Sequence, residues 1–398
     1  MTSPHEPKRY HGLDFLRGLM MMLGLVIHTV QYYITLPFFN SKYIDPSTSI
    51  SMDLIMIFIN TFRMPTFFVL SGFFTALLFY KLGRQGLASN RMRRLLGPFL
   101  LFWPLAAALL VLLQRYWDTY RFHGYWGLHP DQVETLYQGF HSTWHFWFLY
   151  YLILYIGAAL ILMPLIQKIS SRIKEKFLNK LKTFFPTIHG MIFFSLITMI
   201  FAYSNPSGRV SIDTNLVTSP LSLIYFSYYF VLGWWLFLCR DILASLSKPT
   251  WRNMGLATVF LIVGLVVFTQ LGTVGSEGYT IKHALLVAAN SLSILFYIFG
   301  FIGMALRYFS TFSPVSRYLT DMSFWAYIIH LPVITLIAQV LFGWEMIAEV
   351  KALVVLSLST GICFISYDLF VRNGRIGRIL NGRAYPSLLK SRNSNPPD

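Results

Sequence analysis

Charge is scarce in this sequence. Of 398 residues only 12% are Asp, Glu, Lys or Arg, about half the ~25% of an ordinary soluble chain. That excludes a freely solvated globular surface. Cysteine is almost absent. Cys239 and Cys363 cannot build a disulfide framework and lack metal-ligand spacing, so both read as small buried apolar residues. His141 and His145 are four apart, but no acidic residue completes an H-E-x-x-H pattern and no third ligand lies nearby. No metal is therefore expected. A cleavable leader is also missing. The first apolar run follows a short polar stretch, Met1 to Tyr10, and is followed by Tyr, Thr and Pro rather than a small-residue cleavage site, so it should be retained. No internal repeat is found. What the sequence does have is 55% hydrophobic and 17% aromatic residues, gathered in long runs. The fold class is all-α, a polytopic transmembrane helix bundle.

The hydropathy pattern predicts about ten spans, near 13–36, 52–80, 95–114, 143–165, 188–204, 219–239, 254–271, 283–306, 321–342 and 351–371. Sorting the 32 Lys and Arg by connection puts 24 on the side of the N-terminus and 6 on the other, with Arg17 and Arg63 inside spans. By the positive-inside rule both termini are expected in the cytoplasm. The same split accounts for the net charge of +16 without a nucleic-acid partner. The expected organisation is a single membrane domain over 1–385 and a disordered cytoplasmic tail over 386–398. The stretch 168–182 is basic and amphipathic, which suits a helix lying on anionic membrane lipid.

The first span, HGLDFLRGLMMMLGLVIHTVQ, carries Asp14, Arg17 and His28. An ionisable group inside a bilayer costs roughly 3 kcal/mol or more. Arg17 and His28 are eleven residues apart, which on a helix returns to within about 20° of the same face some 16 Å further along. Asp14, Arg17, Met21, Gly24, His28 and Gln31 thus form one stripe. Asp14 and Arg17 sit close enough to the start of the span to snorkel; His28 does not, and is a candidate functional group.

Other segments add candidates. The second span holds FRMPTFFVLSGFF, with Arg63 mid-span and Pro65 after it. A proline there weakens the helix, and an arginine beside it can hold an anion or a carbonyl oxygen, or pair with Asp53 or Asp14 for structure alone. Arg91, Arg93 and Arg94 precede the third span, where a helix N-terminus adds positive potential and a phosphate could bind. Between Gln114 and Thr143 lies an aromatic connection ending at Trp144, which suits either an interfacial belt or a surface on which sugar rings stack. His145 is placed near the outer mouth of a site. In the ninth span Ser323 and His330 are seven apart and share a face, making His330 either a polar packing partner or part of the cavity of His28.

Taken together, LDFLRG with His28 following Arg17 after ten intervening residues, FRMPTFFVLSGFF, Arg91 and Arg94 with two residues between, WHFWFLYYLILY and SFWAYIIHLP resemble the acyltransferase-3 family of integral membrane acyltransferases, most closely its glucan-modifying (glucan succinyltransferase) branch. The resemblance covers nearly the whole chain. It implies an O-acyltransferase of the bacterial inner membrane, with no tightly bound cofactor and with acyl-CoA as co-substrate. The family implies acyl-CoA phosphates near Arg91 and Arg94, His28 as general base on an acceptor hydroxyl, and Arg17 or Arg63 stabilising the thioester carbonyl or orienting the acyl group, acetyl or succinyl. A carbohydrate or glucan acceptor would come from the aromatic side, with Asp14, Trp144, His145 and His330 as substrate-binding candidates. From another class, a secondary transporter or exporter of an anionic solute would also use broken helices and intramembrane Arg and His, though no repeated pair of interrupted helices supports it.

Overall fold

The computed structural model describes residues 10–36, 43–133, 136–382 and 384–387. The leader 1–9, Lys42 and the tail 388–398 lie outside the described residues. Within them the chain is helical: α1 (His11–Val30), α2 (Ile50–Arg91), α3 (Gly97–His123), α4 (Trp147–Gln167), α5 (Ser171–Phe184), α6 (Ile188–Ala202), α7 (Pro220–Leu238), α8 (Thr250–Thr269), α9 (Tyr279–Tyr308), α10 (Pro314–Val340), α11 (Ala348–Ser366) and α12 (Arg375–Asn381).

Among the described residues eight helical stretches are long and apolar enough to cross a membrane, or nine if the bent pair α5 and α6 makes one span. The expected count was ten. The difference arises at Ile50–His123, a continuous stretch of 74 residues. At 1.5 Å per residue it would run ~110 Å, against a hydrocarbon core of ~30 Å, so it carries the second and third expected spans end to end. Gly83 (φ 70°, ψ −177°) breaks α2, and a π-helical turn over Met92–Leu96 leads into α3. α6 has only 15 residues, short for a crossing by itself. It meets α5 at 107°, so the basic amphipathic helix turns sharply away from the line of α6. Lys182 Nζ bonds Asp241 Oδ2 at 2.7 Å; this hydrogen bond raises the Lys182 pKa and lowers that of Asp241.

Small residues let backbones touch. Where α2 crosses α7, a Cβ on Gly72 would lie 1.9 Å from the Phe230 carbonyl oxygen, and one on Gly233 would lie 1.8 Å from that of Val69. Neither neighbour is a side chain that can swing away. In lipid, such close approach is how helices gain dispersion contact without a hydrophobic drive between them. α1 packs on α10, α2 and α9, which puts its polar stripe at the centre of the bundle.

A second, smaller apolar cluster lies at the end of α1 remote from the N-terminus, with Leu25, Val30, Tyr33, Met56, Trp117 and Ile334 in it. Here Lys351, grouped with an outer connection in the charge count, is fully buried in α11 and bonds both oxygens of buried Asp45 at 2.8 and 3.0 Å. Removing one partner leaves a buried charge uncompensated. Lys351→Ala should cost about 3–5 kcal/mol, read as a lower unfolding midpoint in detergent. Lys351→Ala with Asp45→Asn should recover part of it; an unshifted midpoint in the single variant would overturn the assignment.

Candidate active site

A cavity of about 460 Å³ opens beside the N-terminal ends of α1 and α10. That volume falls within the range of small-molecule sites. Its mouth is charged: Arg17, Arg91, Arg94 and Arg317 stand against Asp14 and Asp321, four positive charges to two negative. Arg17 pairs with Asp14 at 3.3 Å and lies over the Phe74 ring at 4.9 Å. Arg317 pairs with Asp321 at 2.7 Å. Arg91 reaches Thr75 Oγ1 at 3.5 Å, and its buried Nε has no hydrogen-bond partner among the described residues. Arg94 lies against Gly382 of the C-terminal segment, which with Leu380 forms one wall. Further in, Ser71, Thr320 and Ser323 alternate with Met21, Phe67 and Phe148, and Tyr327 lines the deep part.

Behind Tyr327 the structure brings together three histidines. The His330 ring lies 5.2 Å from that of His28 and 5.1 Å from that of His145, centroid to centroid. Tyr327 is 6.1 Å from His330 and 5.7 Å from His145, and its hydroxyl donates to the His145 carbonyl at 2.9 Å. His330 and His145 are buried, at 1% and 4% exposure; His28 is half-buried. Backbone carbonyls fix two tautomers, because a carbonyl can only accept. His330 Nδ1 faces the carbonyls of Tyr327 (2.8 Å) and Ala326 (3.1 Å) and must carry the proton. His145 Nε2 does the same toward Ile328 at 3.1 Å. The other nitrogens, His330 Nε2 and His145 Nδ1, are buried without partners among the described residues. His28 Nδ1 faces Gln31 Oε1 at 3.2 Å.

Arg63, 8% exposed, completes the group. Its Nε donates to the Met20 carbonyl at 2.9 Å. Its Nη2 lies over Gly24, 2.5 Å from where a Cβ would be, with His330 Nε2 3.6 Å from the same point. The alternative pairing of Arg63 with an aspartate does not occur. Asp14 is held by Arg17, and Asp53 accepts from the Thr35 and Leu36 backbone amides and the Thr35 hydroxyl. The α1 stripe thus runs as one track: Asp14, Arg17 and Met21 in the cavity, then Gly24 and His28 beside Arg63 and His330.

Not every candidate lies where the sequence put it. His145 sits inside the bundle rather than at a mouth. Asp14 sits at the arginine-rich end, remote from the aromatic connection. Trp144 is half-buried, its Nε1 bonded to the Gly139 carbonyl at 2.9 Å, and it does not line the cavity. It has φ 51°, a conformation that non-glycine residues rarely adopt, while neighbouring Thr143 is tied to the Thr214 carbonyl. That turn delivers His145 into the core. In the aromatic connection Trp117 is a core residue at 1% exposure, and Tyr120 stacks on exposed Trp126 at 4.5 Å. The side chain of Tyr137 is outside the description. Tyr327, Arg317 and Asp321 went unread. Tyr327 lies between Ser323 and His330 on one face, a spacing that could have found it, but in an aromatic-rich span it looked like packing. Arg317 and Asp321, four apart, look like an ordinary helix-surface pair.

Comparison with known proteins adds what geometry cannot. The family described as Acyltransferase domain matches residues 10–368. Curated relatives include "Glucans biosynthesis protein C" of Salmonella paratyphi B and of Salmonella dublin, each 22% identical over 405 residues, covering 96% of this chain and 97% of theirs. The protein of that name from Salmonella agona is 22% identical over 400 residues with the same coverage. No solved structure matches.

Proposed function

Because this chain belongs to the acyltransferase-3 family and is a multi-span membrane O-acyltransferase, we propose that it moves an acetyl or succinyl group from acyl-CoA to a hydroxyl of a carbohydrate, with His28 as general base. The name of these relatives favours a glucan acceptor. The observation that carries the reading is the continuity of the α1 stripe, from an arginine-lined cavity at one end to a histidine cluster with Arg63 at the other. The surplus of arginine suits the phosphates of CoA, with Arg91 and Arg94 the residues assigned to them. On the charge asymmetry of the connections this mouth is cytoplasmic, in the inner membrane of a bacterium.

The thioester then lies along the stripe. His28 takes the proton of the acceptor hydroxyl as its oxygen attacks the thioester carbonyl. Arg63, whose Nε is tied to the Met20 carbonyl while Nη2 lies over Gly24, steadies the negative charge that develops on the carbonyl oxygen. The C–S bond breaks, and the CoA thiolate takes the proton back from the imidazolium. No metal and no tightly bound cofactor enters this scheme. An exporter of an anionic solute would make no product, and membership of an acyltransferase family favours chemistry over transport.

The test is release of free CoA by purified protein, with acetyl-CoA and succinyl-CoA offered against a glucan panel. Release that depends on both donor and acceptor supports the reading; no release with any pair, and no acyl-CoA binding, would overturn it. Arg91→Ala with Arg94→Ala should weaken donor binding roughly 10- to 100-fold, since a hydrogen bond to a charged group is worth about 1.5–3 kcal/mol. Acceptor KM should stay unchanged. Unchanged donor binding would remove these two from the phosphate site.

A further inference from the structure

We propose that His330 Nε2 is a fixed hydrogen-bond acceptor for a second hydroxyl of the substrate, so that the enzyme selects polyols presenting two neighbouring hydroxyls, one to His28 and one to His330. This rests on the acyl-transfer reading above and names the substrate class more narrowly.

Three observations lead there. His330 is 1% exposed, and its Nε2 has no partner among the described residues. A histidine kept only for packing would satisfy both nitrogens, because an unmet buried polar atom costs stability. Next, the Tyr327 and Ala326 carbonyls hold the proton on Nδ1, so neutral His330 can only accept at Nε2. It cannot bind a carboxylate, a carbonyl or a thiolate, which excludes the acyl oxygen and the CoA sulfur as its partners and leaves an O–H or N–H donor. Finally, Nε2 and the Arg63 guanidinium converge over Gly24. A Cβ on Gly24 would stand 3.6 Å from Nε2 and 2.5 Å from Arg63 Nη2, so the missing side chain lets the guanidinium come in beside His330.

His28 is one helical turn beyond Gly24, and its ring is 5.2 Å from that of His330. With Nδ1 toward Gln31, its Nε2 is left for the reacting hydroxyl. A single hydroxyl donates one hydrogen bond and cannot serve both rings. Two hydroxyls on adjoining carbons can. Arg63 Nη2 over Gly24 meets the thioester oxygen instead. The site is thus divided by hydrogen-bond chemistry: acceptors on the histidine side for the incoming alcohol, a donor on the arginine side for the carbonyl.

The experiment compares methyl glucoside with its four monodeoxy analogues as acceptors, reading CoA release. In wild type two positions should be sensitive: one whose loss abolishes reaction, and a neighbouring one whose loss lowers kcat/KM roughly 10- to 100-fold. His330→Asn, which keeps a donor for the carbonyls but has no acceptor at the Nε2 position, should lose that factor on the parent sugar and become indifferent to the neighbouring deoxygenation. His330→Gln, which carries its amide oxygen near that position, should restore the preference. A wild type with one sensitive position, or a His330→Asn variant that keeps the full preference, would overturn the proposal. The deoxy series in wild type decides it alone if the variants do not fold. CoA release with one sensitive position sinks only this inference, whereas no release from any donor and acceptor sinks the acyl-transfer reading and this one with it.

Discussion

His28→Ala should lower acyl transfer about 10²- to 10⁴-fold, the usual contribution of a positioned general base, while the protein still inserts and keeps its unfolding midpoint. The two halves of this expectation have separate grounds. Catalytically, His28 is the member of the histidine trio that reaches a half-buried position, with its ring oriented by Gln31 and Arg63 nearby over Gly24. Structurally, its one hydrogen bond is to a side chain three residues away on its own helix, so its removal breaks no hydrogen bond between helices and gives up only the ring contact with His330. His145 and His330 each bond to backbone carbonyls and are built in more deeply. The measurement is kcat for CoA release beside thermal unfolding of the same preparation. Wild-type turnover in the alanine variant would transfer the base role away from His28. Restoration of turnover by added imidazole would strengthen the assignment, because it supplies the missing base without the missing side chain.

Much of this arrangement was legible before any coordinates. The eleven-residue interval from Arg17 to His28 is helical arithmetic, and the structure puts the stripe it defines along the cavity and the histidine cluster. Arg63 was legible for a related reason, since a charge in mid-span has to face the interior. Two kinds of feature stayed hidden. One is long-range pairing: nothing in the sequence says that His145, from the turn before α4, meets His330 of α10, 185 positions away. The other is a special backbone conformation: Trp144 reads as one more interfacial aromatic, and only its φ of 51° shows that it aims its neighbour inward. Expected spans and helical stretches part company at one place. Ile50–His123 runs on through the break at Gly83 and a π-helical turn, so two expected crossings appear as one helical stretch. In contrast, Lys351 was misread because a lysine at a helix start near a membrane edge is ordinarily solvated; its burial depends on Asp45, a partner 306 residues away.

Arg63→Ala should lower kcat about 10²- to 10³-fold, the loss found when one oxyanion-stabilising donor is removed, with donor KM little changed. The competing account is that Arg63 only ties α2 to α1 through the Met20 carbonyl. The two accounts part at the guanidinium. A structural tie needs Nε alone, yet the terminal nitrogens extend over Gly24, to where a Cβ would come within 2.5 Å of Nη2. Keeping a charge at that depth costs roughly 3 kcal/mol or more, an outlay that a hydrogen bond to one backbone carbonyl does not offset by itself. Arg63→Lys separates the possibilities further. Lysine keeps the positive charge but is a compact ammonium without the planar fork, so it cannot hold the Met20 carbonyl and a thioester oxygen together. If Arg63 serves the carbonyl, Arg63→Lys should recover part of kcat at little or no gain in stability over Arg63→Ala. If it serves the helix contact, both variants should unfold earlier yet turn over at the wild-type rate while folded. Measuring kcat and the unfolding midpoint on the same samples distinguishes these outcomes, and a wild-type kcat in folded Arg63→Ala would leave Arg17 as the arginine on the stripe to test for the carbonyl role.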